Sequence, residues 1–322
     1  AVLTMSTLVV DQAQVEELLT MPECIELMEE TLVALAREEL YQPLRSVVRP
    51  PAAEGFMGLM PAHRGGEAAA FGLKVVCIFP GNPARGLDAH QGAVILFDGE
   101  TGEVRAIVNA SAITAIRTAA VSAVATRALA REGARTLAIL GAGVQAKSHL
   151  EAHRALHDWE RTVVWSRTRE HAEQLGVEVA DTAEDALRDA DVVCTTTTSR
   201  EPILRREWLK DGAHVNAVGS SIPTTRELDT ATMAAAALFV DRRESTLNEA
   251  GDYLFPAAEG AIGPEQIRAE LGDVLAGSAE GRRSPDELTV FKSLGLAVED
   301  LACAQFLLRR ARELGRGTEV EF

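Results

Sequence analysis

Apolar residues recur at helical spacing from Val15 to Leu35, through Leu18, Leu19, Ile25, Met28 and Leu32. That predicts helix over residues 15–40, interrupted near Pro22. Glu16, Glu17, Glu23, Glu26, Glu29 and Glu30 on the other side read as solvated surface. From Gln42 to Asp98 the pattern changes to short strand-like runs between Pro and Gly turns, at 45–48, 55–60, 71–79 and 93–97. Gly99-Glu100-Thr101-Gly102 then forms a hairpin-type turn into a further strand at 104–108, so this stretch predicts an antiparallel β-domain. Residues 110–129 return to helical spacing with many small side chains, as suits a helix at a domain junction. Arg117 interrupts their apolar face of Ile113, Ile116, Ala120 and Val124.

Residues 136–140, TLAIL, carry no charge and stop at Gly141-Ala142-Gly143-Val144-Gln145-Ala146, after which 147–156 has helical spacing. Beyond them the pattern alternates: strand 162–165, helices 170–175 and 183–189, strands 191–196 and 214–219, helix 228–235, strand 237–241. Such alternation predicts a doubly wound parallel sheet. Residues 295–314, with Leu296, Leu301, Phe306 and Leu307 apolar, form a closing amphipathic helix expected to return to the first domain. The expected class is α/β, with a Rossmann-type doubly wound nucleotide domain over 119–295. An α+β domain is expected from 1–118 with 296–322.

Composition changes this picture little. The 322 residues suffice for two domains, and 47% hydrophobic with 25% charged residues reads as soluble and globular. Thirty-two Lys and Arg against forty-eight Asp and Glu give a net charge of −16, which disfavours nucleic acid and anionic membranes as partners. Cys24, Cys77, Cys194 and Cys303 make no C-x-x-C pair and read as small apolar fillers in a reducing compartment. No basic segment followed by an apolar core opens the chain, and no run approaches about 20 apolar residues, so a cytoplasmic protein is expected.

Charge and glycine placement carry the chemistry. In a dinucleotide-binding unit Gly141 permits the tight turn and Gly143 the approach of backbone N–H groups to a pyrophosphate, while Ala146 allows close helix–strand packing. Gly141, Ala142, Gly143, Val144 and Gln145 are therefore candidate cofactor contacts, aided by the helix N-terminus. The next strand ends in Ser166-Arg167-Thr168-Arg169, without the acid that binds a ribose 2′-hydroxyl. A guanidinium between hydroxyls suits a 2′-phosphate, which favours NADP(H) over NAD(H); the alternative is a solvated basic turn. Lys74, in FGLKVVCIF, either snorkels to the surface or points into a site that lowers its pKa. Arg45 is a rim ion pair or a functional group, His90 a pocket-lining or an ordinary histidine, and Arg117 structural or functional. His149, His153 and His157 fall on one helix, but Leu150 stands where a zinc-protease motif needs Glu, so they read as exposed histidines and no metal is expected.

In order along the chain, QPLRSVV, GLMPA, LKVV, AHQG, ITAIRTAAVSAVAT, ILGAGVQA, WSRT, EPIL, HVNAVGSS, REL and TVFKSLGLAVED resemble the ornithine cyclodeaminase/mu-crystallin family, most closely its mu-crystallin (ketimine reductase) branch. The resemblance implies a homodimer whose β-rich domain, joined by the C-terminal helix, serves substrate binding and dimerisation. It implies that Arg45, Lys74 and Arg117 are the catalytic group, binding the substrate carboxylate near the nicotinamide, with His90 and Ser221 also on the substrate. Thr114, Ser166, Arg167, Thr168, Thr196, Val218 and Ser220 join the glycine turn as cofactor contacts, and WSRT looks like the NADPH-using branch. Ornithine cyclodeaminases carry Asp after V-G-G for proton transfer, whereas the matching residue here is Ser221, which cannot act as a base at neutral pH. The expected activity is NADPH-dependent reduction of a C=N bond beside a carboxylate, as in a cyclic ketimine, with Lys74 supplying a proton or polarising the nitrogen. Alternatives are an amino-acid dehydrogenase, an ornithine cyclodeaminase, or a non-catalytic protein that binds NADPH and a small ligand.

Overall fold

The structure, a computed structural model, describes residues 6–321. It divides into two compact units: the described residues up to Arg117 together with those from Leu296 onward, and Thr118–Gly295. In the first, β1 (Ser6–Val10) leads into α1 (Gln12–Leu18) and α2 (Met21–Ala36). Asp11 and Gln14 cap α1 reciprocally, and Pro22 occupies the first turn of α2, where a missing N–H costs no helical bond. The expected interruption is thus a break between two helices. The second ends before Leu40: Glu38, at φ 61°, turns the chain left-handed, and Leu40–Tyr41 is a strand, β2.

There follow β3 (Ser46–Val48), β4 (Phe56–Arg64), β5 (Ala70–Ile78), β6 (His90–Asp98) and β7 (Val104–Asn109). These pair antiparallel, but β1 joins β7 in parallel, so the sheet is mixed and not antiparallel throughout. The chain passes to the second unit within α3 (Ala110–Leu129). By length and composition α3 could cross a membrane, against the expectation that no run is long and apolar enough. Yet 72% of its most apolar window is buried, as in the core helix of a globular protein.

The second unit contains β8 (Thr136–Leu140), α4 (Val144–Leu156), β9 (Arg161–Trp165), α5 (Arg169–Glu173), β10 (Glu178–Val179), α6 (Ala183–Leu187), β11 (Val192–Thr195), β12 (His214–Ala217), α7 (Thr230–Ala235), β13 (Ala237–Val240), α8 (Arg243–Glu249), α9 (Gly251–Ala258), β14 (Ile267–Glu270), α10 (Leu271–Leu275) and β15 (Thr289–Lys292). All eight strands are parallel, in the order β10-β9-β8-β11-β12-β15-β13-β14. The order reverses between β8 and β11, the point at which such sheets bind ligands beyond the carboxyl ends of their strands. The central strands β11, β12, β13 and β15 are buried at every residue, as expected of strands covered on both faces. The α/β expectation, a Rossmann-type sheet plus an α+β unit, holds.

Finally α11 (Ala297–Leu314) and β16 (Thr318–Glu321) return to the first unit, where β16 pairs with β1. Helix α11 lies on the sheet so closely that a Cβ at Gly72 would stand 2.9 Å from Leu301 Cδ1. Alternation along the strands therefore directs Met60, Gly72, Lys74, Val94 and Leu96 to this covered face.

Candidate active site

In the first unit, the middle of β5 presents Lys74 to the first turn of α11. Lys74 Nζ lies 2.7 Å from Asp300 Oδ2, and Arg117, near the middle of α3, donates from Nε to Asp300 Oδ1 at 3.1 Å and from Nη1 to Glu299 Oε2 at 2.7 Å. Glu299 also accepts from the Leu296 N–H, so the helix start holds its own carboxylate in place. All four side chains are buried, Lys74 and Arg117 at 3% exposure. Burial lowers the Lys74 pKa from 10.5 to about 8, with the Arg117 charge adding and Asp300 opposing. For Arg117 burial works against the charge, but Asp300 and Glu299 outweigh it and hold the guanidinium protonated. The result is a fixed cation beside an ammonium that can exchange its proton near neutral pH.

Arg45 is half-buried, and its charge adds the smallest share to lowering the Lys74 pKa. His90 is the first residue of β6; desolvation, then the charge of Lys74, lowers its pKa below 6.5. Thr114 is half-buried one turn before Arg117 on α3. The structure thus brings Lys74 and Arg117 together on Glu299 and Asp300, the last two residues of TVFKSLGLAVED, with Arg45 and His90 within reach of the same charges.

In the second unit, Gly141 has φ 120°, and a Cβ there would lie 2.5 Å from Thr196 Oγ1. The turn is pinned on both sides: Gly141 N–H donates to Trp165 O at 2.8 Å, and Thr196 donates from both N and Oγ1 to Leu140 O. Gly143 precedes α4, and a Cβ on it would meet nothing within 4 Å. The start of α4 therefore opens onto space, Val144 is 65% exposed, and Ala146 is buried against the sheet. A closed glycine packing site followed by an open one is the geometry a pyrophosphate requires. After β9, Ser166 is half-buried and Arg167 and Thr168 are exposed, while Arg169 is committed to Glu173 and Asp181 at 3.0 and 2.7 Å. Val218 and Ser220 are buried, the Ser220 hydroxyl donating to Thr225 O, and Ser221 is half-buried.

The histidines of α4 do not lie on an exposed face as their spacing predicts. His149 and His153 are fully buried, not exposed: His149 bonds Gln145 O and Ser122 Oγ, and His153 bonds His149 O and Thr126 Oγ1. Burial lowers their pKa values to about 3 and about 4, so both imidazoles are neutral pins within the core. His157 is exposed at the end of α4. Among the described residues no group of three His, Cys, Asp or Glu side chains could hold a metal.

Three comparisons with known proteins bear on this geometry. The family model described as Ornithine cyclodeaminase/mu-crystallin family matches residues 5–315. The ketimine reductase mu-crystallin of Mus musculus is 43% identical over 272 residues, 83% of this chain and 84% of that protein. The Thermococcus litoralis Delta(1)-pyrroline-2-carboxylate reductase, solved in complex with NADH and L-proline, has a TM-score of 0.93 at 35% identity and covers 98% of this chain and 100% of that one. An archaeal alanine dehydrogenase dimer with bound NAD has the same TM-score at 33% identity, over 99% of this chain and 100% of that one.

Proposed function

This chain belongs to the ornithine cyclodeaminase/mu-crystallin family, and from that premise we propose that it is an NAD(P)H-dependent oxidoreductase that reduces a C=N bond next to a carboxylate, a cyclic ketimine acid being the preferred substrate. The observation that carries this reading is the buried cluster of Lys74 and Arg117 on Asp300 and Glu299. Arg117, locked by two acids, and Arg45 offer guanidinium N–H groups to the substrate carboxylate and so orient it. The Lys74 ammonium donates its proton to the imine nitrogen, and Asp300 keeps that ammonium in place. Gly141, Ala142, Gly143, Val144 and Gln145 would hold a nicotinamide dinucleotide, which would supply the hydride when bound. Ser221, in place of a carboxylate, favours reduction over cyclodeamination.

The test mixes purified protein with the reduced cofactor and a cyclic ketimine carboxylate and follows the cofactor's absorbance. Consumption in wild type and its loss in Lys74→Met is the expected outcome; no consumption by wild type overturns the reading. The likeness to an alanine dehydrogenase favours one second reading, reductive amination of a 2-oxo acid. Omitting ammonia separates the two, because a preformed ketimine needs none.

NADP(H) is preferred, since residues 166–169 hold no acid and Arg167 is exposed while Arg169 is engaged elsewhere. Against it stand relatives solved with NADH and NAD, so the ratio of kcat/KM for NADPH and NADH decides. The protein is also proposed to be a homodimer through the sheet face opposite α11. There the register aligns Met57, Leu59 and Pro61 of β4 with Cys77, Val75 and Leu73 of β5, and Leu73 and Phe71 with Ile95 and Phe97 of β6. All are at least partly exposed, an apolar patch that a second copy would cover. Sedimentation of wild type as a dimer and of Leu73→Asp as a monomer is expected; a wild-type monomer contradicts this part.

A further inference from the structure

At the carboxyl ends of β11, β12 and β15 the second unit buries a glutamate, an aspartate and a lysine that the chemistry above does not use. Glu227 is fully buried. Its Oε1 accepts from Thr197 N at 2.6 Å and Thr197 Oγ1 at 2.7 Å, and its Oε2 accepts from Thr195 Oγ1 at 2.6 Å and Gly219 N at 2.9 Å. One carboxylate thereby ties the chain leaving β11 to the chain leaving β12. The two run so close that a Cβ on Gly219 would stand 2.1 Å from Thr197 O and 2.5 Å from Glu227 Oε1.

The clamp is itself held. The Glu227 and Leu228 N–H groups donate to Asp252 Oδ1 at 2.7 and 3.1 Å, and Asp252 Oδ2 lies 3.0 Å from Lys292 Nζ. Lys292, the last residue of β15, also donates to Ala217 O, the end of β12. Three neighbouring strand ends are therefore cross-linked by three buried charges. The strands already pair through their ladders, and burying ionised groups is a poor route to stability. What such a network adds is a single position for residues 195–197 and 217–219.

A dinucleotide lies across the point where the sheet order reverses. Its pyrophosphate meets the turn after β8 and its adenosine ribose the turn after β9, which leaves the nicotinamide half for the ends of β11 and β12. We infer that Glu227 is a positioning residue for the nicotinamide half of the cofactor, clamping the two loops on which that half rests. The inference depends on the second unit being the dinucleotide domain proposed above.

Glu227→Gln is the informative variant. Each carboxylate oxygen faces one backbone N–H, which cannot turn round, so the amide nitrogen of glutamine opposes a donor in either flip. The side-chain volume hardly changes, but one loop must let go.

The test titrates the full chain, wild type and Glu227→Gln, with NADPH and NADH and with adenosine 2′,5′-bisphosphate and ADP, which carry the adenosine half alone. The expected result is roughly tenfold or greater weakening for the intact cofactor, as for a buried donor left unpaired, with the fragments unchanged. If Glu227→Gln does not fold, the Thr195→Val/Thr197→Val pair keeps the Glu227 side chain and both N–H bonds, and a smaller loss confined to the intact cofactor is expected. Equal weakening of cofactor and fragments, or no change in either, overturns the inference. A wild type that binds neither NADPH nor NADH overturns instead the reading of this unit as a dinucleotide domain.

Discussion

The two units prepare for anionic ligands in opposite ways. In the first, side-chain charges are buried in register: Lys74 and Arg117 rest on Asp300 and Glu299, and the arrangement depends on which groups are ionised. In the second, the backbone prepares the glycine turn: Gly141 packs against Thr196, Gly143 leaves the start of α4 open, and residues 141–146 include no titratable side chain. The difference teaches that the first site is vulnerable to a change of charge at constant shape, and the glycine turn of the second to a change of shape at constant charge.

The largest effect is expected from breaking the charged side. Lys74→Met is isosteric to a first approximation and removes the proposed proton donor, so kcat should fall by about 100-fold or more while binding of the dinucleotide stays within about twofold. Steady-state kinetics and a cofactor titration measure the two separately. Next in size, Gly141→Val places a branched side chain at φ 120° and into Thr196, and should abolish measurable dinucleotide binding while leaving the charged cluster of the first unit intact. If that variant binds the cofactor normally, the turn is not the cradle.

A smaller effect separates the units by pH. His149, His153 and His214 are buried with pKa values lowered by desolvation to about 3, about 4 and about 3. Unfolding releases them to titrate near 6.5, so below that pH the unfolded state binds more protons and stability falls as pH drops from 6.5 towards 4. All three lie in the second unit, so its unfolding, followed by thermal denaturation with a tryptophan probe (Trp159, Trp165 and Trp208 all lie there), should carry this slope. A melting temperature independent of pH over that window would contradict it. The smallest effect is specificity: Arg167→Asp should shift the NADPH-to-NADH preference by about tenfold, the worth of one charge-assisted contact.

The same division governs what can be read from the chain before it folds. The glycine turn is local: strand, two glycines and helix lie within twenty-one residues, and their spacing alone implies the cradle. The Pro22 break and the α11 return are equally legible as periodicity. Asp300 is not, because its partner Arg117 is 183 positions away and an acid in GLAVEDLACA looks like any helix-start carboxylate. Glu227 escapes for the same reason, its partners being neutral threonines and backbone. The histidines of α4 look solvated because their spacing suits an exposed face; only the α3 hydroxyls of Ser122 and Thr126 reveal that this face is interior. Strand β15 is hidden by Lys292, a charge inside a fully buried run, which becomes intelligible once Asp252 is beside it.

The central claim is that Lys74 is the acid of the reaction and that Asp300 raises its proton affinity against burial and the Arg117 charge. The most direct measurement is the pH dependence of kcat/KM for reduction of a cyclic ketimine carboxylate, in wild type and in Asp300→Asn. Wild-type activity should fall as pH rises through about 8, where Lys74 loses its proton. Asp300 raises that pKa by charge and hydrogen bond, so in Asp300→Asn the fall should begin at lower pH. An alkaline limb that stays where it was, or moves upward, would contradict the account.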